Sequence, residues 1–375
     1  MNDAAQAIFA PGGKVPEAGS KMVNPDLAAT LSAIAKGGRR AFYEGDIARK
    51  MAEYAERSGG FLTQADFANQ HAEWGVPITS TYRDVTMFET PPPTQGFTVL
   101  SMLNMAEGWD VGGWAHNGPD HVHHLVQAKQ LAYHDRDQLL ADPTRSHVPV
   151  EHLLSKDYAA KQRARVSQHT ALPWDAIASG GTLRGDTVFV VVVDKEGNAA
   201  SSIQSLYGFF GSGCVVPDTG VVLQNRSAYF SLDPGHPNRL EPGKQPAHTL
   251  IASLAFRDDR LWQVLGCMGA DGQPQIHLQT YCGLIDFGLN IQEAVEAPRW
   301  LSGRFALGEP RDLLNIEGRF SEDTRRELEA RGHTLNRWQR WNELAGHCHG
   351  VTISPTSSMR IGGADPRSDG AAVGY

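Results

Sequence analysis

The chain has 375 residues, 20% of them charged, and a net charge of −8 that is spread along its length. No basic stripe for nucleic acid and no polybasic segment for a membrane surface is present, and the composition is that of an ordinary soluble protein. The longest apolar runs, around 188–193 and 250–256, fall well below the roughly 18 residues of a membrane helix, so neither nucleic acid nor a membrane is expected as a partner.

The N-terminal sequence has neither a basic region nor an apolar stretch of the signal-peptide type, so the chain as encoded is expected in the cytoplasm. Its length permits two domains or one large α/β body. The four cysteines are far apart and form no C-x-x-C pair, which argues against a zinc ribbon or a redox motif and predicts buried free thiols. They are Cys214, Cys267, Cys282 and Cys348.

Helices are predicted through most of the first half. Asn24-Pro25-Asp26 is a typical helix start, and the periodic apolar residues that follow stop at Gly37-Gly38. A loosely alternating strand is expected over 77–90, where the triple proline Pro91-Pro92-Pro93 ends it. The further predicted helices cover 46–58, a short segment from Thr63, about 96–108 and about 120–140.

Strands are predicted to dominate the second half. Two apolar hairpins are expected, 187–194 with 199–205 and 249–257 with 261–266, each closed by a short polar turn. Later helices begin at Gly272 and Ile291. Apolar hairpins flanked by long helices favour an α+β fold in which helices pack on a sheet or on a pair of sheets.

Gly185-Asp186-Thr187 lies where a loose polar segment, from about 166, meets the apolar run 188–193, which is expected to be a buried strand. If the peptide bond before Thr187 is broken, its hydroxyl becomes a nucleophile and its freed α-amine a general base. Because an α-amine titrates at roughly 7.7 to 8.0, no histidine has to assist. A threonine that opens a strand is more often only a β-former, so the tripeptide alone leaves both interpretations open.

Several further segments lie before and after this threonine, and their order and spacing together form a pattern. Downstream are Leu223-Gln224-Asn225-Arg226, Gly266-Cys267-Met268-Gly269-Ala270 and Ala364-Asp365-Pro366-Arg367; upstream are the triple proline and Ala141-Asp142-Pro143. Together they resemble the γ-glutamyltransferase family of the N-terminal nucleophile (Ntn) hydrolases, over nearly the whole chain. The resemblance implies an αββα sandwich, glutathione-hydrolase-like chemistry and no cofactor.

The resemblance also implies a precursor that cuts itself between Asp186 and Thr187. A large-subunit-like, mostly helical part, 1–186, would remain bound to a small-subunit-like catalytic part, 187–375, as a heterodimer. In the mature enzyme Thr187 would attack a small amide such as a γ-glutamyl peptide and form an acyl-enzyme. The acyl group would then pass to water or to an amine.

By the same resemblance, the N–H groups of Gly269 and Ala270 are the donors to the oxyanion of the tetrahedral intermediate. The family usually has glycine where Ala270 stands. Ser205 matches a family threonine whose hydroxyl contacts the nucleophile, and serine supplies the same donor and acceptor. The alternative for Ser205 is a strand hydroxyl that faces solvent.

The substrate-binding positions depart from the glutathione pattern. After Asn225, the positions of the usual amine-binding residues hold Arg226 and Tyr229, and an arginine repels an ammonium group. Two family serines that hold the substrate carboxylate are replaced by His248 and Thr249, which still donate hydrogen bonds. The chain is similar to a branch with acylases of the cephalosporin type, in which Arg226 would meet a carboxylate-bearing acyl group such as glutaryl.

A further alternative comes from the start of the chain. The family's large subunit normally begins well before the region matched by residues 1–30, and its early part supplies strands and a carboxylate-binding arginine. A sheet without those strands exposes edges and apolar faces. The sequence is therefore also consistent with an unprocessed, inactive fragment that needs a partner chain.

Histidines cluster on the helix predicted over 120–140, and the spacing of His121 and His124 would allow metal binding. Because no third ligand lies at a suitable distance, solvent-facing histidines are expected, with a metallohydrolase as a minor alternative. The cluster comprises His121, His123, His124 and His134. Asp365-Pro366-Arg367 is predicted to be a turn, either holding an ion pair beside the site or lying plainly on the surface.

Overall fold

The computed structural model describes residues 1–173, 185–305 and 309–375, with the backbone alone at 185 and 186. The chain divides into two compact units, a smaller one of Met1–Trp74 with Leu206–Arg226 and a larger one of Gly75–Ser205 with Ser227–Tyr375. These are not the two chains that self-cleavage would produce, and that division stays a prediction. Most of the loose segment predicted before Thr187 lies outside the described residues.

The secondary structure is mixed, with most helices before residue 186. The helices are α1 (Asp3–Phe9), α2 (Pro25–Tyr43), α3 (Asp46–Arg57), α4 (Gln64–Asn69), α5 (Gly96–Ala106), α6 (Pro119–Leu139), α7 (Val150–Leu153), α8 (Lys156–Arg163), α9 (Gln273–Ile285), α10 (Ile291–Glu296) and α11 (Glu322–Ala330). The strands are β1 (Ile78–Tyr82), β2 (Val85–Glu89), β3 (Gly185–Val193), β4 (Ala199–Gly208), β5 (Val215–Val216), β6 (Val221–Val222), β7 (Ser253–Arg257), β8 (Arg260–Met268), β9 (Trp300–Ser302), β10 (Leu313–Ile316), β11 (Thr334–Arg337), β12 (His347–Ile353) and β13 (Arg360–Ala364).

The smaller unit is built on α2 and α3. The Asn24 side chain accepts a hydrogen bond from the N–H of Leu27 at 3.0 Å, which caps α2 as the sequence predicts. The predicted end of this helix at Gly37-Gly38 is instead a break, with Gly38 at φ 59°, after which the helix continues to Tyr43. Ile47 and Met51 of α3 bury their side chains against Val216, which joins the two segments of this unit.

A six-stranded antiparallel sheet forms the centre of the larger unit, in the order β1-β2-β7-β8-β12-β13. The single strand predicted over 77–90 is wrong, because β1 and β2 form a hairpin. Arg83, at the turn, adopts a positive φ of 55° that a continuous strand does not contain. The helix starts at Gly96, Pro119 and Ile291 lie within one residue of the predicted positions.

Helices cover one face of this sheet, and the β3–β4 hairpin covers the other. Helices α5 and α9 pack on the sheet, and α6 packs on α5. The Cys267 side chain of β8 contacts the carbonyl of Gln273 at the start of α9, whereas the ring of Phe189 leaves no space for a side chain at Gly266. Adjacent residues of a strand face opposite sides of a sheet, so α9 and the hairpin lie on opposite faces.

Strand β3 is not buried on both faces, contrary to the sequence prediction. Phe189 is 8% exposed, but Val188, Val190 and Val192 are 56%, 47% and 53% exposed. Strand alternation places these three valines on the face away from the six-stranded sheet. In the described part of the chain, that face is left open to solvent.

The prediction that the histidines of α6 face solvent is also wrong. His121, His123 and His124 are buried, and His134 is half-buried, because α6 lies inside the helical layer and not at its surface. His123 Nδ1 lies 2.8 Å from Nε2 of His333, and His124 stacks on Trp114. Burial lowers the pKa of His121 to about 3 and that of His123 to about 4, so both rings are neutral. Within residues 1–173, 185–305 and 309–375, no group of three or more possible ligands is arranged for a metal ion.

Two other sequence expectations are settled by burial. The cysteines are free thiols, three of them buried and Cys214 half-buried. Asp365 and Arg367 form a buried ion pair at 2.9 Å, which Arg299 and Glu317 extend, so the surface-turn alternative is wrong.

No helix in the described ranges combines the length and apolar character needed to cross a bilayer.

Candidate active site

Thr187 lies near the start of β3, where its hydroxyl meets that of Ser205 on the neighbouring strand. Thr187 Oγ1 donates a hydrogen bond to Ser205 Oγ at 2.9 Å, and both residues are half-buried. Thr187 is two residues before Phe189 and therefore shares the face of β3 that packs toward the six-stranded sheet. The solvent-facing alternative for Ser205 does not fit this contact.

A tight turn, Gly269–Gly272, connects β8 to α9 and contacts β3. We call it the oxyanion turn, after the role that the sequence predicts for the N–H groups of Gly269 and Ala270. The Gly269 carbonyl accepts a hydrogen bond from the Gly272 N–H at 2.7 Å. Because the peptide is planar and trans, the N–H of Ala270 points away from that carbonyl in a fixed direction. The positive end of the α9 dipole lies immediately beyond the turn, so a negative oxygen is favoured at this end of the helix.

Ala270 adopts an uncommon backbone conformation. Its φ is 48°, in the left-handed region that glycine enters without strain and that costs other residues about 1 to 3 kcal/mol. The turn therefore retains, with alanine, the geometry for which a second glycine is suited. This conformation persists only if the surrounding groups hold it.

A buried polar cluster holds the turn from the side of the helices. Gln95 Nε2 donates to the carbonyl of Ala270 at 3.0 Å and to that of Thr249 at 3.0 Å. Arg136 Nη1 donates to Gln95 Oε1 at 2.7 Å and to Asp271 Oδ1 at 2.7 Å. Two tyrosine hydroxyls also donate to Asp271, Tyr229 to Oδ1 at 2.8 Å and Tyr133 to the backbone carbonyl. The cluster comprises Gln95, Tyr133, Arg136, Tyr229 and Asp271.

The charges of this cluster are balanced. The side chains of Arg136 and Asp271 are only 2% and 3% exposed. Burial opposes the Arg136 charge, but Asp137, Tyr229 and Asp271 together hold its pKa well above the usual value for arginine. Asp271 Oδ1 accepts from both Arg136 and Tyr229, whereas its Oδ2 is buried without a hydrogen-bond partner among the described residues. Arg136 therefore stays charged beside the oxyanion turn, and Asp271 and Asp137 neutralise that charge.

The two predicted carboxylate-binding residues lie beside the same cluster. The backbone N–H of His248 donates to the carbonyl of Pro93 at 2.9 Å, and Thr249 is 1% exposed. Through Gln95, the backbone of Thr249 and that of Ala270 are bonded to one amide group. Their predicted contact with a substrate stays a prediction.

Asn225 and Arg226 belong to the smaller unit. Asn225 Oδ1 accepts a hydrogen bond from the N–H of Gly208 at 2.9 Å. The Arg226 guanidinium lies 4.0 Å from the centre of the Tyr207 ring, in a cation–π contact, and the residue is 9% exposed. Their contact with an acyl group also stays a prediction.

Four residues of the polar cluster were not predicted. Gln95, Tyr133 and Arg136 are far from the oxyanion turn in sequence and carry no motif that marks them. Asp271 directly follows Ala270, and this adjacency is the one signal that pointed to it. The Tyr229 hydroxyl bonds to Asp271, and the predicted contact of Tyr229 with a substrate stays a prediction.

Comparisons with known proteins identify the family of the chain. The gamma-glutamyltranspeptidase family model matches residues 2–375. The chain is 39% identical over 367 residues to the glutathione hydrolase-like YwrD proenzyme of Bacillus subtilis, with 98% of the chain and 69% of that protein covered. It is 38% identical over 363 residues to the oxamate amidohydrolase proenzyme of Klebsiella pneumoniae, with 97% of the chain and 67% of that protein covered.

The structure is also similar to that of cephalosporin acylase from Bacillus halodurans. The TM-score is 0.89 at 34% sequence identity, over 100% of this chain and 68% of the acylase chain. The predicted Ntn-hydrolase fold and the predicted similarity to the acylase branch are thereby confirmed. The chain belongs to the gamma-glutamyltranspeptidase family and is an Ntn amidohydrolase or acyltransferase of that family.

Proposed function

We propose that this chain cuts itself before Thr187 and then uses Thr187 to hydrolyse or transfer the acyl group of a small amide. The observation that carries the proposal is the 2.9 Å hydrogen bond from Thr187 Oγ1 to Ser205 Oγ, on a strand that contacts the oxyanion turn. A hydroxyl nucleophile, a neighbouring hydroxyl and fixed backbone donors are the parts that acyl transfer requires.

Self-cleavage begins with attack of the Thr187 hydroxyl on the Asp186 carbonyl. The C–N bond breaks, an ester links Asp186 to the Thr187 oxygen, and the nitrogen becomes a free α-amine. Water then hydrolyses the ester, leaving a carboxylate on Asp186 and restoring the hydroxyl. One water is consumed and no cofactor takes part.

Catalysis repeats this chemistry on a substrate. The α-amine of Thr187 takes the hydroxyl proton as the oxygen attacks the amide carbonyl, and the oxyanion is stabilised by the N–H groups of Gly269 and Ala270. The protonated amine returns its proton to the leaving amine. Water or an acceptor amine then takes the acyl group from the Thr187 oxygen.

The two products of self-cleavage, 1–186 and 187–375, remain together as a heterodimer in this proposal. Support comes from the sheet, because β2 of the first product pairs with β7 of the second through four residue pairs from Thr86–Phe256 to Glu89–Ser253. Separating the products would expose this sheet and its apolar core. The cost of that exposure favours association.

γ-Glutamyl amides such as glutathione are the proposed acyl donors, in line with the glutathione hydrolase names among the relatives. A second candidate is an amide whose acyl group carries a carboxylate but no α-amine. Arg226 at the expected amine-binding position favours it, as do relatives named oxamate amidohydrolase and acylase.

The proposal is tested by intact-mass spectrometry of the purified protein beside its Thr187→Ala variant. Two fragments that meet at Asp186/Thr187, and an uncut variant, are expected. A single uncut chain in both samples would overturn self-cleavage and favour the inactive-fragment alternative.

Rates with matched γ-glutamyl and glutaryl anilides then separate the two acyl donors, because these compounds differ in the α-amine alone. Faster cleavage of the γ-glutamyl anilide, lost when its amine is blocked, supports the first candidate. Faster cleavage of the glutaryl anilide supports the second.

A further inference from the structure

We propose that Gln95, oriented by Arg136, is a positioning residue that holds the oxyanion turn and the Thr249 backbone in one arrangement. The inference deepens the proposed function and rests on it, because Ala270 is taken there as an oxyanion donor. Gln95 makes no contact with the reacting atoms in this account. It acts through the backbone of Ala270.

The hydrogen bonds of Gln95 define its orientation. Both N–H groups of its amide are used, one on the Ala270 carbonyl and one on the Thr249 carbonyl, each at 3.0 Å. Its oxygen accepts from Arg136 at 2.7 Å. Turning the amide over would place its oxygen against two carbonyls and its NH₂ against a guanidinium, so Arg136 allows one orientation alone.

The consequence for Ala270 follows from its two flanking peptides. The peptide before it is held by the bond from the Gly272 N–H to the Gly269 carbonyl, and the peptide after it by two donors to the Ala270 carbonyl, the Gln273 N–H and Gln95. Fixing both planes fixes φ and ψ of Ala270, here in the left-handed region that alanine enters at a cost of about 1 to 3 kcal/mol. Without Gln95 the second plane is held by the Gln273 N–H alone, so the left-handed conformation of Ala270 is less well supported and the turn, with the Ala270 N–H, can relax.

The site is built to keep this arrangement dry and rigid. Gln95 is 0% exposed, Thr249 1%, and Ala270 and Arg136 2% each. A buried carbonyl that loses one of its donors finds no water to replace it. Arg136 is in turn held by Asp271, the residue that follows Ala270, so the turn and its support are bonded at two adjacent positions.

The chain offers a matched control in Gln279 of α9. Its Nε2 also donates to two backbone carbonyls, those of Gln275 and Trp300, each at 2.9 Å, and its oxygen accepts from the Trp300 N–H at 3.1 Å. Gln95→Met and Gln279→Met therefore each remove two donated bonds and one accepted bond, and both introduce the same neutral side chain. Only the first set touches the oxyanion turn.

The experiment measures the acylation rate and KM of the self-cleaved parent, Q95M and Q279M with a chromogenic anilide, together with thermal unfolding. For Q95M we expect the acylation rate to fall about 10- to 100-fold and KM to change less than about threefold. This fall is smaller than the loss of about 10²- to 10³-fold that follows deletion of an oxyanion donor itself. Q279M should fall less than about twofold, although both variants lower the unfolding temperature.

The outcomes distinguish failure of the role proposed for Gln95 from failure of the proposed function. An acylation rate for Q95M within about twofold of the parent, or an equal fall in Q279M, would overturn the inference while leaving the proposed function intact. A Q95M chain that stays uncut while Q279M is cut would support it, since self-cleavage also passes through a tetrahedral intermediate. A parent that is itself uncut overturns the proposed function and the inference with it.

Discussion

The oxyanion turn and the nucleophile strand contact each other, yet they are built in different ways. In the turn, the carbonyl of Gly269 accepts from Gly272 within the turn, and those of Ala270 and Asp271 accept from Gln95 and Tyr133 in other parts of the chain. The surrounding side chains are buried. Strand β3 is anchored on one face by Phe189, while Val188 and Val190 on the other face are about half exposed. One side of the site is fixed by polar bonds and the other by apolar packing on a single face.

This difference matches what each region would have to do under the proposed function. Donors to an oxyanion stabilise it best when they need no reorganisation during the reaction, which a network of buried hydrogen bonds provides. The residue after a scissile bond must first carry a strained peptide and then present a new terminus. A strand held through alternate side chains keeps its register while its end changes.

Removing the charge that supports the oxyanion turn should have the largest effect on stability. Arg136→Met leaves the Asp271 carboxylate buried at 3% exposure without its ionic partner, and we expect a loss of about 3 to 5 kcal/mol in the free energy of unfolding. Urea-induced unfolding followed by circular dichroism measures it. Arg326→Met, which breaks an ion pair whose side chains are 72% and 83% exposed, should cost less than about 1 kcal/mol. Equal losses would contradict a special role for the buried pair.

Removing the apolar anchor of β3, the strand that carries Thr187, should have the second largest effect on the free energy of unfolding. Phe189→Ala opens a cavity against Gly266, and we expect a loss of about 3 kcal/mol. Val190→Ala, one residue along the same strand and 47% exposed, should change stability by less than about 1 kcal/mol. Similar losses for the two would mean that the outer face of β3 is packed as well as the inner one. Both are measured by the same urea titration.

The sequence predicted features that depend on interactions between residues close together in the chain better than features that depend on distant residues. Helix starts such as Asn24-Pro25 rest on local bonds and were placed correctly, and the family motifs identified Thr187, Ser205 and the oxyanion turn as candidates. The turn at Arg83 was missed because arginine carries no signal for a positive φ. A loose alternation over 77–90 describes one strand and a hairpin equally well.

The missed parts are those decided by tertiary packing. The polar residues of α6 predicted a solvent-exposed face, but His121 and His123 are buried because α11, strand β9 and the segment near Phe287 cover the helix. Gln95 and Arg136 reach the oxyanion turn from 175 and 135 residues away. No spacing rule within one sequence connects residues at such distances, whereas the adjacency of Asp271 to Ala270 was open to inspection.

The smallest expected effect concerns Ser205, and it separates the chemistry of the nucleophile from the stability of its strand. Ser205→Ala removes the hydroxyl that accepts from Thr187 Oγ1 at 2.9 Å, so the nucleophile loses its orientation without loss of its own oxygen or amine. We expect kcat to fall about tenfold, equivalent to about 1.4 kcal/mol of the barrier, with little change in unfolding. Ser205→Thr should retain most of the rate, because it restores the hydroxyl on a residue suited to a strand. If the alanine and threonine variants are equally slow, packing around residue 205 and not its hydroxyl controls the rate, and the bond to Thr187 is a structural contact alone.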